Sequence, residues 1–464
     1  MNYHAHYSGI SERIETCVVG SGAFGQSYLG QVRRTRLVGA RVAVDLDAEA
    51  AARALAGAGW DPREIAVCAS PAEARAAWSR GSAIAACRLE TVLDLPFGLV
   101  LEATGSPEAA TRHGLLSIEA GRHLVLVSKE ADSVVGPGLW ALARERGVVV
   151  TPVDGDQPSL LIGLVTWAET VGLEIIAAGK SSEYDFVLDP SSGSVTCNGV
   201  SRHLPDLASG WTTGRNDAVA TAERRAGILE REYPLRTVPD LCEMTLVANA
   251  VDLSADVPGF HALPARIPEL AALFAERARG GVLGGTRRVD VFHHVRLADE
   301  ASFAGGVFIV VRCEDSETWA MLAEKGHVVS PESGTAMLYV PRHLLGVEAA
   351  TSVLEAAGLG RSGYGEDYRP RQDLVAVAAR DLAAGTRLTM GGHHHSIPYV
   401  DAAMCPAGAL ADDRPAPFYL VADRVLVRTV RAGNPIRFGD VEIPETSDLL
   451  AMRRRQDSLF GPAG

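Results

Sequence analysis

Apolar and polar positions follow two rhythms along the chain. From residue 15 to about 180, short β-branched runs at 16–19, 41–44, 65–67, 99–101, 123–127 and 148–150 alternate with Ala-rich stretches of helical spacing at 48–56, 71–80, 107–120 and 139–146. That alternation predicts repeated βα units, and a doubly wound parallel sheet is the economical way to bury them. From 157 to 363 the rhythm becomes an α+β mixture, with an apolar helical stretch at 160–168, a strand at 173–178 leading to Gly179-Lys180, a helical run at 243–251 and a strand at 306–311. A Gly/Arg/Tyr-rich stretch at 360–371 reads as a linker. Beyond it, 377–388 (VAARDLAAGTRL) matches 425–436 (VLVRTVRAGNPI) at an offset of 48, which predicts two similar strand-turn-strand units in a small β-rich module. The expected fold is α/β with three units: a Rossmann dinucleotide-binding domain over 14–155, an α+β substrate and assembly domain over 156–363, and a β module over 372–446.

Composition narrows the function. At 464 residues the chain suits about three domains. A formal charge of −13 argues against a polyphosphate-binding surface, so nucleic acid is not an expected partner; it reads instead as an acidic exterior around a locally basic pocket. Seven cysteines without C-x-x-C spacing argue against a disulfide framework or a structural zinc, and a cytoplasmic, reducing compartment is expected. The first residues lack the basic and apolar runs of a signal peptide, and the most apolar stretches are about half the length of a membrane span.

The sharpest local signal is Gly20-Ser21-Gly22-Ala23-Phe24-Gly25, a G-x-G-x-x-G between a predicted strand and a predicted helix. Gly20 allows the tight turn, Gly22 lets the backbone approach a pyrophosphate, and Gly25 lets the helix close on the strand. Asp45 ends the second strand, 20 residues beyond Gly25, where a carboxylate accepts from both ribose hydroxyls and repels a 2′-phosphate. NAD is therefore expected ahead of NADP. The bland alternative is a structural turn, with Asp45 and Asp47 capping the next helix. Thr104-Gly105-Ser106-Pro107 after the fourth predicted strand suits either nicotinamide-ribose contacts or a helix N-cap with Pro in the first turn.

Beyond the fold, the runs Lys129-Glu130-Ala131-Asp132-Ser133-Val134-Val135-Gly136-Pro137, Gly155-Asp156-Gln157-Pro158 and Ala178-Gly179-Lys180 resemble a group of homoserine dehydrogenase-like oxidoreductases. Glu243-Met244, Val247-Ala248-Asn249-Ala250 and the segment from Leu338 through Pro341-Arg342-His343 to Glu348 extend the likeness, and the C-terminal repeat is similar to the SAF module that ends the same proteins. The group contains a D-apionate oxidoisomerase, which oxidises a branched sugar acid with NAD and moves a carbon substituent, and a reductoisomerase-like enzyme acting on 1-deoxyxylulose 5-phosphate with NADPH. The resemblance thus implies NAD-dependent oxidation of a CH–OH group on a polyhydroxylated acid with a 1,2-carbon shift. The competing expectations are an NADPH-dependent reductoisomerase on a sugar phosphate and a nucleotide or carbohydrate sensor without turnover. Homo-oligomers are expected by analogy with such enzymes.

Alcohol oxidation needs a proton acceptor and a cationic or hydrogen-bonding group for the developing alkoxide. Lys129, Asp156 and Lys180 fall near predicted strand ends, where open α/β sheets bind ligands, and are the expected catalytic residues. The bland alternatives are a surface Lys129-Glu130 pair, an N-cap at Asp156 and a Lys180 that snorkels to solvent. Glu130, Gln157, Glu243, Arg342 and His343 are expected to bind substrate, although Glu243 also suits a helix-start charge. His293-His294 and His393-His394-His395 invite a metal claim, but neighbours in sequence rarely share one face, so no ligand set is assigned. A divalent ion assisting the rearrangement is left open.

Overall fold

The computed structural model describes residues 1–209, 211, 217–233, 235–392 and 395–461. Strands β1 (Ile14–Val19), β2 (Val38–Val44), β3 (Ile65–Cys68), β4 (Ala83–Ala86), β5 (Leu99–Glu102), β6 (His123–Leu126) and β7 (Val150–Pro152) form one sheet in the order 3-4-2-1-5-6-7. Every neighbouring pair is parallel. Helices α1 (Ala23–Val32), α2 (Ala48–Gly57), α3 (Pro71–Ser79), α4 (Pro107–Glu119) and α5 (Lys129–Glu145) connect the strands. Two apolar clusters cover the sheet: Val19, Val42, Ile84 and Val100 belong to one, and Val18, Ala43, Ala85 and Leu101 to the other. This is the doubly wound Rossmann arrangement. Its strand order reverses between β1 and β5, which opens a crevice at their carboxyl ends.

Helix α6 (Gln157–Thr170) leads into a nine-stranded mixed sheet whose spine is the long β8 (Ile175–Asp189). Beside it run β9 (Arg288–Leu297), parallel, and β10 (Val307–Arg312), antiparallel. Helix α7 (Val238–Val251) packs against α5 and α6 and crosses the face of β8 and β9. It therefore joins the two sheets. Among the described residues no helix is long and apolar enough to cross a membrane.

The C-terminal region carries the internal repeat into three dimensions. Leu382 pairs with Val430, the residue 48 further on, and the bridges Val377 to Pro435 and Arg387 to Val425 exchange under the same offset. So do the hydrogen bonds Gly385 N to Leu426 O and Gly433 N to Ala378 O, both 2.7 Å. A local two-fold axis passes between Leu382 and Val430. Gly385 and Gly433 both hold positive φ, at 84° and 77°, which explains the glycine in each copy. Helix α8 (Asp448–Phe460) then returns to pack on α4 and α5.

Four local expectations change. The strand β4, Ala-Ile-Ala-Ala, had no β-branched run to announce it, yet it is buried along its length, where small residues let α2 and α3 approach. The helix expected at 139–146 begins at Lys129, because 129–137 is helical despite Pro137. The supposed linker is packed: Tyr364 and Tyr368 are buried, stack with centroids 4.0 Å apart, and both donate to Asp132 on α5. Of the three terminal arginines, Arg453 is buried against Asp373 and Asp457 instead of lying on a solvated face.

Candidate active site

The glycine-rich turn follows from steric demands at two positions. Gly20 has φ 98°, and a Cβ there would lie 2.4 Å from Ala103 O; a Cβ on Gly25 would lie 2.1 Å from Gly20 O. Both contacts are too close for any side chain, so β1, the turn and α1 close on one another only with glycine. Gly22 is the N-cap of α1, has open space where a Cβ would stand, and offers no side-chain cap to the first N–H groups of Ala23 and Phe24. The helix N-terminus is thus free to meet an anion. Asp45 Oδ2 accepts from Ser21 N at 2.8 Å and from Ser21 Oγ at 2.5 Å, which holds a carboxylate at the lip of the turn. Asp47, not Asp45, caps α2.

At the end of β5 the chain turns through Thr104 and Gly105. Thr104 Oγ1 donates to buried Glu102 at 2.6 Å, Gly105 has φ 67° and donates its N–H to Ser128 Oγ at 2.8 Å, and Ser106 caps α4 ahead of Pro107. The N-cap reading is observed at Ser106, one residue beyond the two glycine-turn candidates.

Past β6 lies the densest charge cluster of the crevice. Lys129 opens α5, and its Nζ lies 2.5 Å from Glu243 Oε1 and 3.2 Å from Asp156 Oδ2. The other Glu243 oxygen accepts from Lys180 Nζ, which also lies 2.9 Å from Asp240 Oδ1 and 3.7 Å from Glu183 Oε1. Asp156 doubles as the N-cap of α6 through Gln157 N. Glu243 sits in the middle of α7, not at its start, so it is no helix-start charge. Lys180 lies inside β8, opposite Val291 and Val307, and not beyond a strand end; it is fully buried and does not snorkel. His343 approaches Asp156 at 3.5 Å and Gln157 Nε2 at 3.4 Å, whereas exposed Arg342 pairs with Glu348 and stands apart. Glu130, beside Lys129, accepts from His395 Nδ1 at 2.5 Å.

These contacts set the protonation states. Burial alone would lower the Lys129 amine, but Asp156 and Glu243 overcome it and hold it well above its ordinary value. Lys180 behaves the same way beside Asp240 and Glu243. Burial works against the charged forms of Asp156 and Glu243 too, yet the lysines win and both carboxyls lie below their usual range. Asp240 is the exception: burial raises it to about 6 against the pull of Lys180, and neither of its oxygens makes an aligned hydrogen bond. Both lysines are therefore ammonium groups at neutral pH, and free-amine catalysis is not their resting chemistry.

The cluster corrects the expectation of a basic pocket. Asp156, Asp240, Glu243, Glu183 and Glu130 outnumber Lys129 and Lys180, so the lysines are cations within a carboxylate-rich wall. Sequence reading missed Asp240, Glu183 and His395. Asp240 had a legible signal, since it precedes Glu243 by one helical turn and shares its face. The histidine pair splits: His293 bonds Ser182 at 2.6 Å, while His294 accepts from Phe303 N. His393 and His394 lie outside the described residues. Among the described residues no group of three or more His, Cys, Asp or Glu is arranged to hold a metal ion.

Comparison with known proteins gives a partial match. Residues 238–349, which include Asp240, Glu243 and His343, match the family described as oxidoreductase DRL, catalytic domain. No curated protein matches the chain. Among solved structures, GenD2 from gentamicin A biosynthesis in complex with NAD is 15% identical, covers 76% of this chain and 88% of its own, and has a TM-score of 0.35. A mutant of KijD10, a 3-ketoreductase from Actinomadura kijaniata in complex with TDP-benzene and NADP, is 13% identical over 75% of this chain and 90% of its own, with a TM-score of 0.30. DOX-P reductoisomerase in complex with NADPH, fosmidomycin and magnesium is 14% identical over 50% and 58%, with a TM-score of 0.29. Likeness at this level carries no argument about chemistry.

Proposed function

We propose that the chain is an NAD-dependent oxidoreductase that oxidises a CH–OH group of a polyhydroxylated, branched sugar acid, with a 1,2-carbon shift as the second half of the reaction. The observation that carries this reading is the contact of Lys129 with Glu243 and Asp156, two strands over from the glycine turn at the same carboxyl edge of the sheet. A dinucleotide fits the first crevice: the uncapped start of α1 and the open face of Gly22 suit a pyrophosphate, and the Asp45 carboxylate suits ribose hydroxyls and disfavours a 2′-phosphate. When bound, the nicotinamide supplies the hydride acceptor. The match of residues 238–349 to an oxidoreductase catalytic domain supports the same class.

The residues divide the work as follows. Lys129 Nζ faces the substrate hydroxyl and takes its proton as it passes one of its own to Glu243, 2.5 Å away, so the amine never has to be free beforehand. Its positive charge steadies the alkoxide as that forms. Asp156 fixes the ammonium from the other side and orients His343. Lys180 touches Glu243 from within and is a positioning residue that keeps this carboxylate ionised and aimed. Carboxylates accept from hydroxyls, so the acidic excess suits the hydroxyl groups of a polyol. The test is to incubate the protein with NAD or NADP and a panel of sugar acids, follow NADH absorbance, and identify products by mass and carbon NMR. An unchanged carbon skeleton in every product removes the shift, and the absence of turnover and of dinucleotide binding removes the oxidoreductase reading.

A further inference from the structure

His395 comes from the C-terminal β module, far in sequence from the crevice, yet its ring lies on it. Its Nδ1 is 2.5 Å from Glu130 Oε1, the residue after Lys129. The ring also covers Gly105: a Cβ at that glycine would lie 2.2 Å from His395 Cε1 and 3.0 Å from Nε2. One imidazole thus bridges the turn after β5 and the start of α5, the two segments that flank the crevice on the side of Lys129. The backbone of His395 is left-handed, with φ 46°, a conformation that histidine, asparagine and aspartate adopt more readily than other residues with a side chain.

The rest of the module is built to hold this ring in place. Glu108, in the first turn of α4, accepts from Arg424 Nη2 and Ser447 Oγ, both at 2.8 Å. Gln456 of α8 caps into α5 by accepting from Gly138 N at 2.9 Å and donating to Val134 O at 3.1 Å. Tyr364 and Tyr368, leading into the module, donate to Asp132 one turn beyond Lys129. Each of these contacts falls on α4 or α5, the helices that follow Gly105 and begin at Lys129. A module serving only as an appendage has no need to grip both.

We propose that His395 is a positioning residue of the dinucleotide site: through Glu130 and Gly105 it forms the wall of the nicotinamide-riboside half, supplied by the C-terminal module. The inference rests on the oxidoreductase reading above. Glu130 and Lys129 are the charged groups that face the imidazole; the hydrogen bond to Glu130 raises its proton affinity, burial opposes this, and the Lys129 charge opposes it further. The imidazolium-carboxylate pair is therefore intact below the raised titration point and weakens as pH rises through it, and dinucleotide affinity falls over the same range.

The experiment uses the full chain and three variants, His395→Ala, His395→Asn and Glu130→Gln. Asparagine tolerates the left-handed backbone and presents Nδ2 where the imidazole presents Nδ1, but it does not titrate. NADH binding is followed by fluorescence across pH, and the imidazole is followed by NMR, its signal identified by loss in His395→Asn. His395→Ala is expected to weaken NADH binding by about ten-fold, the cost of one hydrogen bond and one wall contact. His395→Asn is expected to bind like the parent at neutral pH and to lose the fall in affinity at higher pH. Glu130→Gln is expected to return the His395 titration toward the ordinary imidazole range. An alanine variant that binds NADH as the parent does overturns the proposal. A His395 titration unmoved by Glu130→Gln overturns the contact itself without touching the oxidoreductase reading. A parent that binds neither NADH nor NADPH overturns that reading, and this one with it.

Discussion

Lys180→Met tests whether the buried half of the cluster is held together by one cation. Lys180, Asp240 and Glu243 are each at most 3% exposed, so removal of the ammonium leaves two carboxylates facing each other away from water. Breaking a buried ion pair by deleting one partner costs about 3–5 kcal/mol. At about 1 °C per kcal/mol for a chain of 464 residues, the melting temperature should fall by about 3–5 °C at pH 8. The sign with pH follows from Asp240, whose carboxyl is raised from 3.8 to about 6 even with Lys180 beside it. A raised carboxyl favours the folded state below its unfolded value and loses that contribution as pH climbs through the folded value. Without Lys180 the Asp240 carboxyl rises further and Glu243 loses one of the two lysines that lower it, so at pH 5 Asp240 is protonated and the deficit shrinks. Thermal melts of parent and variant at pH 5 and pH 8 give the answer, and Lys180→Met/Asp240→Asn should recover part of the loss at pH 8. In turnover, kcat should fall with little change in the KM for NAD, because Lys180 acts through Glu243. A deficit that is absent, or equal at the two pH values, refutes the argument that this cation neutralises the buried carboxylates.

Lys129→Met should lower kcat by about 10²–10⁴ with NADH binding retained, as measured by steady-state kinetics beside fluorescence titration. Asp45→Ala should shift the ratio of NADP to NAD affinity toward NADP by about ten-fold, since it removes one carboxylate opposite a 2′-phosphate; an unchanged ratio places the ribose elsewhere. Gly25→Ala should abolish dinucleotide binding and lower the melting temperature, because its methyl meets Gly20 O at 2.1 Å. Asp132, raised by burial from 3.8 to about 7 despite two tyrosine donors, costs the fold up to about 4 kcal/mol above pH 7. Asp132→Asn should therefore raise the melting temperature at pH 8.5 and change it little at pH 5, and a lower melting temperature at pH 8.5 counts against that assignment.

The Rossmann half was legible because its signals are local. A β-branched run followed by Gly20, Gly22 and Gly25 specifies strand, turn and helix within a dozen residues, and the steric contacts of Gly20 and Gly25 show that the motif is a packing requirement. The strand Ala83–Ala86 escaped because alanine carries no strand preference of its own; its place is set by helices that need room, which is a tertiary fact. The start of α5 escaped because Gly136, Pro137 and Gly138 are weak helix formers. Their burial against Tyr368, Met452 and Gln456 overrides that weakness, and none of those partners lies near them in sequence.

The site was half legible for a related reason. Lys129, Asp156, Lys180 and Glu243 could each be singled out as a charge in apolar surroundings, but which charges meet depends on α7 crossing from one sheet to the other, and no periodicity reports a crossing. The sequence reading of a basic pocket counted lysines at strand ends and overlooked the carboxylates that must accompany any buried ammonium. Lys180 makes the point in one residue: an ammonium inside β8 survives only with anionic partners, so a lysine in an apolar strand predicts buried acids elsewhere in the chain. Asp240 and Glu243, one turn apart on a helix that otherwise reads as core, were the pair that requirement called for. The same requirement turns on His395. A buried carboxylate at Glu130 needs a donor, and among the described residues that donor is the histidine of the C-terminal module.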